Sequence, residues 1–315
     1  MGFEMPKISY NGGIKEIPLG REGNRIIVGG ETCYPFYLFE GEMPHQPKIA
    51  MEVYDTPPEE WPGAALDPFA DVVHDAAAWA QKCVTSYGAE MLALQLASTD
   101  PNAQDAPAEQ AVEVTKKVVA AIDVPLIVWG SGNLEKDTKV LRTIAEECAD
   151  ENLILGPVEE GSYKILGAAS LAYHHTMAAS TPIDINLAKQ LNILLGNLGV
   201  PDERIIVDPT SASLGYGLEY CYSVMERDRM AALTQEDERL QFPIVCNLAK
   251  EVWKIKEVRA SEEEAPLLGD PLKRGVLLEA MTALLLLLAG GDILIMRHPD
   301  AIRLVRGFVS DLMAK

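Results

Sequence analysis

From Lys48 onward, short apolar runs alternate with longer stretches of helical periodicity, and the alternation occurs eight times. Lys48–Val53 (K-I-A-M-E-V) predicts a strand and Asp71–Tyr87 a helix. Met91–Leu96 predicts the next strand, and Ala108–Ile122 a helix opened by Pro107 near its first turn. Pro125–Trp129 pairs with a helix over Leu134–Ala149, Asn152–Leu155 with the alanine-rich Tyr163–Tyr173, and His174–Ala179 with Ile185–Leu198. The sixth strand, Arg204–Asp208, stops at Pro209, which cannot donate to a sheet ladder. Thr210, Ser211 and Ser213 follow, and Gly215 and Gly217 permit a tight path into a helix over Leu218–Ala232. Phe242–Cys246 is the seventh strand, then a long segment with the acidic run Glu262–Glu264 and a helix near Leu272–Ala289. Asp292–Met296 and a helix over Ala301–Met313 close the series.

Strands that are apolar on both faces belong to a parallel sheet covered on both sides. Eight βα units over roughly 250 residues match a closed (β/α)8 barrel, a TIM barrel. The competitor is a doubly wound open sheet, but no G-x-G-x-x-G follows the first strand. Residues 1–46 read differently. Asn11-Gly12-Gly13 and Gly29-Gly30 mark turns, and Ile14–Leu19 could pair with Arg25–Val28 as a hairpin. The expected organisation is an N-terminal extension over 1–46 and a barrel over 47–315.

Charge narrows the partners. The chain has 27 basic and 47 acidic residues, a formal net charge of −20. Such a surface repels phosphate backbones, which argues against nucleic acid and against an anionic membrane surface. Met281–Gly291 is the most apolar run and is too short to span a bilayer. The five cysteines (33, 83, 148, 221, 246) contain no C-x-x-C, so neither an iron–sulfur cluster nor a cysteine zinc site is expected on this chain. The opening Met1-Gly-Phe-Glu-Met-Pro has no signal-peptide character, which makes the cytoplasm the expected compartment.

In a (β/α)8 barrel the working face is built from the loops after the strands. Here those positions hold Glu52, Tyr54 and Asp55; Gln95, Ser98, Thr99 and Asp100; Trp129, Ser131 and Asn133; Gly156 and Glu159; Ser180 and Asp184; Asp208, Thr210 and Ser211; Asn247; Arg297 and His298. Amides, hydroxyls and one tryptophan, which the glycines of W-G-S-G-N leave exposed, suit a large polar ligand bearing amides or a heteroaromatic ring. Asp184 either caps its helix or faces the ligand, and Asp208 carries the same pair of readings. No lysine directly follows a strand, no G-x-S-x-G elbow occurs, and the five histidines show no metal-ligand spacing. His174-His175 opens a strand and suits packing.

Several segments together resemble a known family: L-Q-L-A-S-T-D-P-N (94–102), V-W-G-S-G-N (128–133), L-G-P-V-E-E-G-S-Y-K (155–164), P-I-D-I-N-L-A-K-Q-L-N-I-L-L (182–195), 206–217, Y-S-V-M-E-R (222–227) and D-I-L-I-M-R-H-P (292–299). The chain resembles the small subunit of the corrinoid/iron–sulfur protein, the delta subunit of the CO dehydrogenase/acetyl-CoA synthase system. That resemblance implies a TIM barrel without catalytic residues of its own, one half of a heterodimeric methyl carrier in the acetyl-CoA pathway of anaerobes. The larger partner would hold the [4Fe–4S] cluster, and this barrel mouth would cap a cobamide shared between them. Methyl groups would arrive from a methyltetrahydrofolate:corrinoid methyltransferase and leave to CO dehydrogenase/acetyl-CoA synthase. The expected cofactor-binding set is Gln95, Ser98, Trp129, Ser131, Asn133, Asp184, Asp208, Thr210 and Asn247, with no side chain permanently ligating cobalt. The alternative reading is a pterin-binding TIM-barrel methyltransferase, in which Asp208, Asn133 and Asp184 would hydrogen-bond a pterin ring.

Overall fold

The computed structural model describes residues 5–210 and 214–314; Ser211 and Ser213 lie outside them. Among the described residues, ten strands form in two sheets. β1 (Ile17–Leu19) and β2 (Ile26–Val28) make an antiparallel hairpin, with Ile17 opposite Val28. The remaining eight are β3 (Lys48–Tyr54), β4 (Met91–Gln95), β5 (Leu126–Trp129), β6 (Ile154–Val158), β7 (Thr176–Ser180), β8 (Ile205–Asp208), β9 (Ile244–Asn247) and β10 (Gly291–Met296). They close into one parallel barrel in the ring order β10-β3-β4-β5-β6-β7-β8-β9. The expected (β/α)8 barrel with an N-terminal hairpin is the fold observed.

Register aligns the strand ends that matter. Tyr54, Gln95, Trp129 and Gly156 stand side by side on adjacent strands, as do Ser180 and Asp208. Around the barrel run helices Ala76–Tyr87, Ala108–Ala121, Leu134–Glu147, Tyr163–Tyr173, Ile185–Leu198, Leu218–Thr234, Pro271–Leu288 and Pro299–Leu312. Trp79, Trp253, Phe69 and Phe242 are fully buried among the apolar faces of strands and helices. Among the described residues no helix is long and apolar enough to cross a membrane.

Among the differences from the sequence-based expectation are short helices at Gly63–Leu66, Ala249–Lys254 and Lys256–Arg259, and three further changes. The helix expected over Asp71–Tyr87 starts at Ala76, because Asp75 accepts from the amides of Ala77 and Ala78. Strand β6 runs to Val158, where a register shift after Leu155 accommodates Gly156 and Pro157. His174 does not open a strand: it ends the preceding helix in the left-handed region, φ 63°, and its ring pairs with Asp150 at 2.7 Å. His175 is buried, its ring between the Leu153 amide (3.1 Å) and the Ala145 carbonyl (2.9 Å). Packing is thus the observed role of His175.

The hairpin closes the amino-terminal end of the barrel. Arg21 donates to the Ile122 carbonyl, Asn152 donates to the Gly20 carbonyl, and the Lys15 amide donates to the Gln241 carbonyl. Ile122, Asn152 and Gln241 all precede barrel strands. Gly20 is required there: φ is +91°, and a Cβ would lie 2.7 Å from the Pro125 ring. Ile17, Leu19 and Val28 join the barrel's own core. Beside them, Arg229 meets Asp292 at 2.5 Å and donates to the Phe242 and Gly290 carbonyls, tying one outer helix to the start of β10.

Candidate functional site

The carboxyl ends of the strands converge on an open mouth. Its floor is made of neutral amides and one indole. Gln95 and Asn247 are 4% and 5% exposed, and Gln95 Nε2 donates to Asn247 Oδ1 at 3.4 Å. Trp129 is buried in β5 rather than exposed, its ring filling the space that the missing side chain of Gly156 leaves. Asp208 is buried and fixes the turn after β8: Ser180 Oγ donates to Oδ2 at 2.8 Å, and the Thr210 amide and hydroxyl donate to Oδ1 at 2.9 and 2.7 Å. Thr210 Oγ1 in turn accepts the Asn247 amide at 3.0 Å, so β8 and β9 present their ends as one unit.

A cationic and aromatic wall rises on the β3–β10 side. Arg297, the first residue after β10, is buried and ion-paired to Glu52 at 2.7 Å. Its guanidinium lies 3.6 Å from the Trp61 ring centre, a stacked cation–π contact. Tyr54 meets Trp61 edge-on, with ring centres 5.0 Å apart. Behind them sits Glu279, fully buried, which accepts from the Arg297 amide (2.5 Å), the His298 amide (3.1 Å) and Trp253 Nε1 (2.9 Å). Burial pushes its carboxyl up to about 7, against the opposing pull of those three donors. His298 stacks on Trp253, its Nδ1 accepts the Asp300 amide, and burial lowers its pKa, so the ring is neutral at pH 7.

The loops after β3, β4 and β5 are held by buried or half-buried carboxylates. Asp55 accepts from the Ser98 amide (3.0 Å) and hydroxyl (2.5 Å), and burial raises its pKa. Asp137, on the following helix, accepts from the Ser131 amide and hydroxyl and from the Gly132 amide, all at 2.8–2.9 Å. Gly130 makes that possible, since a Cβ there would lie 2.4 Å from the Asp137 carboxyl carbon. Asn133 and Asp184 are helix caps on the rim, accepting the amides of Lys136 (3.0 Å) and Asn186 (2.8 Å).

Between floor and wall lies a cavity of about 610 Å³, within the range of small-molecule sites. Of the nine residues expected from sequence, Gln95 and Ser131 line it. Trp129, Asp208, Thr210 and Asn247 build the strand ends around the floor, Ser98 is tied to Asp55, and Asn133 and Asp184 stand outside the lining. Sequence reasoning missed Trp61, Trp253, Lys250 and Arg259, all of which line the cavity. No lysine directly follows a strand, as expected, but Lys250, three residues beyond β9, still reaches the cavity. The overlooked signal for Trp61 is its setting, P-P-E-E-W-P, directly after the first barrel strand.

These features define a (β/α)8 barrel with a ligand-sized recess at the strand carboxyl ends, and the barrel fold is shared with dihydropteroate synthases. The dihydropteroate synthase of Xanthomonas albilineans, solved with 4-aminobenzoic acid, superposes with a TM-score of 0.62 over 96% of this chain and 100% of that one, at 14% identity. The enzyme of Vibrio fischeri gives 0.60 over 95% and 99%, at 12% identity. At such identities the likeness concerns the fold. Residues 16–307 match the family described as CO dehydrogenase/acetyl-CoA synthase delta subunit, and the chain belongs to that family. The acetyl-CoA decarbonylase/synthase complex subunit delta of Archaeoglobus fulgidus is 37% identical over 99% of this chain and 71% of its own length. Subunit delta 1 of Methanosarcina thermophila is 35% identical over 95% and 70%.

Proposed function

We propose that the barrel mouth covers one face of a cobamide, as the smaller half of a heterodimeric corrinoid/iron–sulfur methyl carrier within an acetyl-CoA decarbonylase/synthase complex. The larger partner carries the [4Fe–4S] cluster and the rest of the cobamide site. A methyltetrahydrofolate:corrinoid methyltransferase loads the carrier, acetyl-CoA synthase unloads it, and the cycle runs in the cytoplasm of an anaerobe. When bound, the cobamide supplies the cobalt that accepts and gives up the methyl group. This chain's residues do the rest: Trp61 and Arg297 offer a flat wall, Gln95 and Asn247 offer neutral amides, and together they keep water from the covered face.

The observation that carries this reading is the open recess of about 610 Å³ with an aromatic–guanidinium wall beside a neutral amide floor. The donor set fits a flat ring fringed with amides, and family membership supplies the complex. A second reading, a pterin site, is favoured by the shared fold with synthases solved with pterin compounds such as 7,8-dihydropteroate. The test is anaerobic purification of this chain with its co-expressed partner subunits, followed by a visible spectrum. Corrinoid absorbance that falls when Trp61 and Arg297 are both replaced by alanine supports the cap. A colourless complex, with methyltetrahydrofolate binding to this chain alone, transfers the assignment to the pterin site.

A further inference from the structure

We infer that Gln95 and Asn247 together recognise an amide edge of the ligand, a donor and an acceptor side by side, at the floor of the mouth. The inference rests on the proposed reading of the mouth as a ligand-covering face, and it names the group that face grips.

Both side chains are more than nine-tenths buried, at 4% and 5% exposure, and they come from β4 and β9, which are not neighbours in the ring. Their one mutual contact, Gln95 Nε2 to Asn247 Oδ1, is 3.4 Å, beyond the usual 2.7–3.2 Å of an N–H···O bond. It engages half of each amide. Among the described residues, Gln95 Oε1 and Asn247 Nδ2 have no hydrogen-bond partner, although Gln95 lines the cavity. The backbone groups of both residues are engaged: the Gln95 carbonyl accepts the Asp55 amide, and the Asn247 amide donates to Thr210.

The neighbouring polar groups are treated differently. Asp208 is satisfied by Ser180 and Thr210, Ser131 by Asp137, Ser98 by Asp55, and Glu279 by three N–H donors. Apart from Glu52 Oε1, which is buried without a partner, these groups are satisfied within the protein, whereas the two amide ends keep contact with solvent and are available to something that enters. One end is an acceptor and the other a donor, and they flank a shared contact. Their complement presents N–H and C=O together. A primary carboxamide does so, and so does a ring lactam. An ester presents only acceptors and leaves Gln95 Oε1 facing an oxygen. Two sources carry the required edge: the carboxamide arms at the rim of a corrin, and the lactam of a pterin.

The experiment titrates the full chain with three probes, followed by absorbance and equilibrium dialysis: cobinamide, whose corrin bears carboxamides; the corrin heptamethyl ester, which lacks those N–H donors; and 6-methyltetrahydropterin. The expected result is that cobinamide binds about tenfold or more tighter than the ester, a ratio set by one or two hydrogen bonds. Gln95→Met and Asn247→Leu should each lose most of that preference, bringing the two affinities close together. Where Asn247→Leu fails to fold, Asn247→Asp serves, because it replaces the free donor with an acceptor in the same shape. Pterin binding that is lost in the same variants, with no corrin bound, supports the amide edge while removing the cobamide cap. Equal binding of cobinamide and ester, or variants that keep the preference, overturns the inference and leaves the cap intact. Failure of all three probes to bind also overturns it.

Discussion

Replacing Glu279 with glutamine should change how the stability of this protein depends on pH. The carboxyl is fully buried, and burial moves it from an ordinary 4.5 to about 7. The folded protein therefore holds this proton more tightly than the unfolded chain. Its stabilising contribution is complete below about pH 4.5 and is lost as pH rises through about 7. A rise of that size corresponds to roughly 3 kcal/mol. Glutamine keeps the shape and never ionises, so it lacks this slope. Its own amide faces N–H donors and adds an offset without pH dependence. The expected result is that Glu279→Gln gains on the wild type by about 2.5 kcal/mol between about pH 5 and pH 8. For a chain of 315 residues that is roughly 4 °C in Tm. The assay is urea denaturation and calorimetry at matched ionic strength across that range. Asp228, also raised to about 7 by burial, is present in both proteins and cancels in the difference. Parallel curves for variant and wild type would refute the reasoning, as would a variant that loses ground as pH rises.

Two further expectations concern the mouth. Arg297→Met leaves Glu52 as a buried carboxylate without its cation and should cost about 3–5 kcal/mol, with Glu52→Gln in the same protein restoring most of it in a denaturation series. A single-variant loss that the second change does not restore would mean that Arg297 matters for its packing on Trp61. Gly156→Ala would place a Cβ 2.9 Å from both the Trp129 ring and the Ala178 methyl, and should cost about 1–3 kcal/mol while shifting tryptophan emission to the red. Unchanged emission and Tm would show that the indole is free to move aside.

The barrel itself was legible because its signal is local. Each strand is an apolar run, each helix has its period and often its cap, and the helix over Tyr163–Tyr173 has the bounds its alanine-rich pattern gives. One cap was legible too: Asp184 sits where a polar residue opens a helix, whereas Asn133, expected at the ligand, also turned out to be a cap. The mouth was legible only in part, because its residues meet across the ring. Nothing local tells that Glu279, in the middle of an apolar helix, reaches the ends of β10 and the indole of Trp253. Trp61 lies in a proline-rich loop without period, and its value comes from Arg297, which is 236 positions away. Asp137 looks like an ordinary first-turn acid until the glycines before it let its carboxylate catch the loop. His174 was misread because a residue in the left-handed region ends a helix without a glycine to announce it.

The seam that closes the barrel sets an order on its making. β3 pairs with β10, so Lys48 waits for Ile293. While the chain is being synthesised, the first barrel strand stays open along one side until Ile293, 245 positions later, has left the ribosome. The amino-terminal hairpin is bound by the same delay, because Lys15 docks on Gln241 and Gly12 on Leu233. A nascent chain thus carries an unpaired strand edge from Lys48 until Ile293 is made, the kind of surface that chaperones hold.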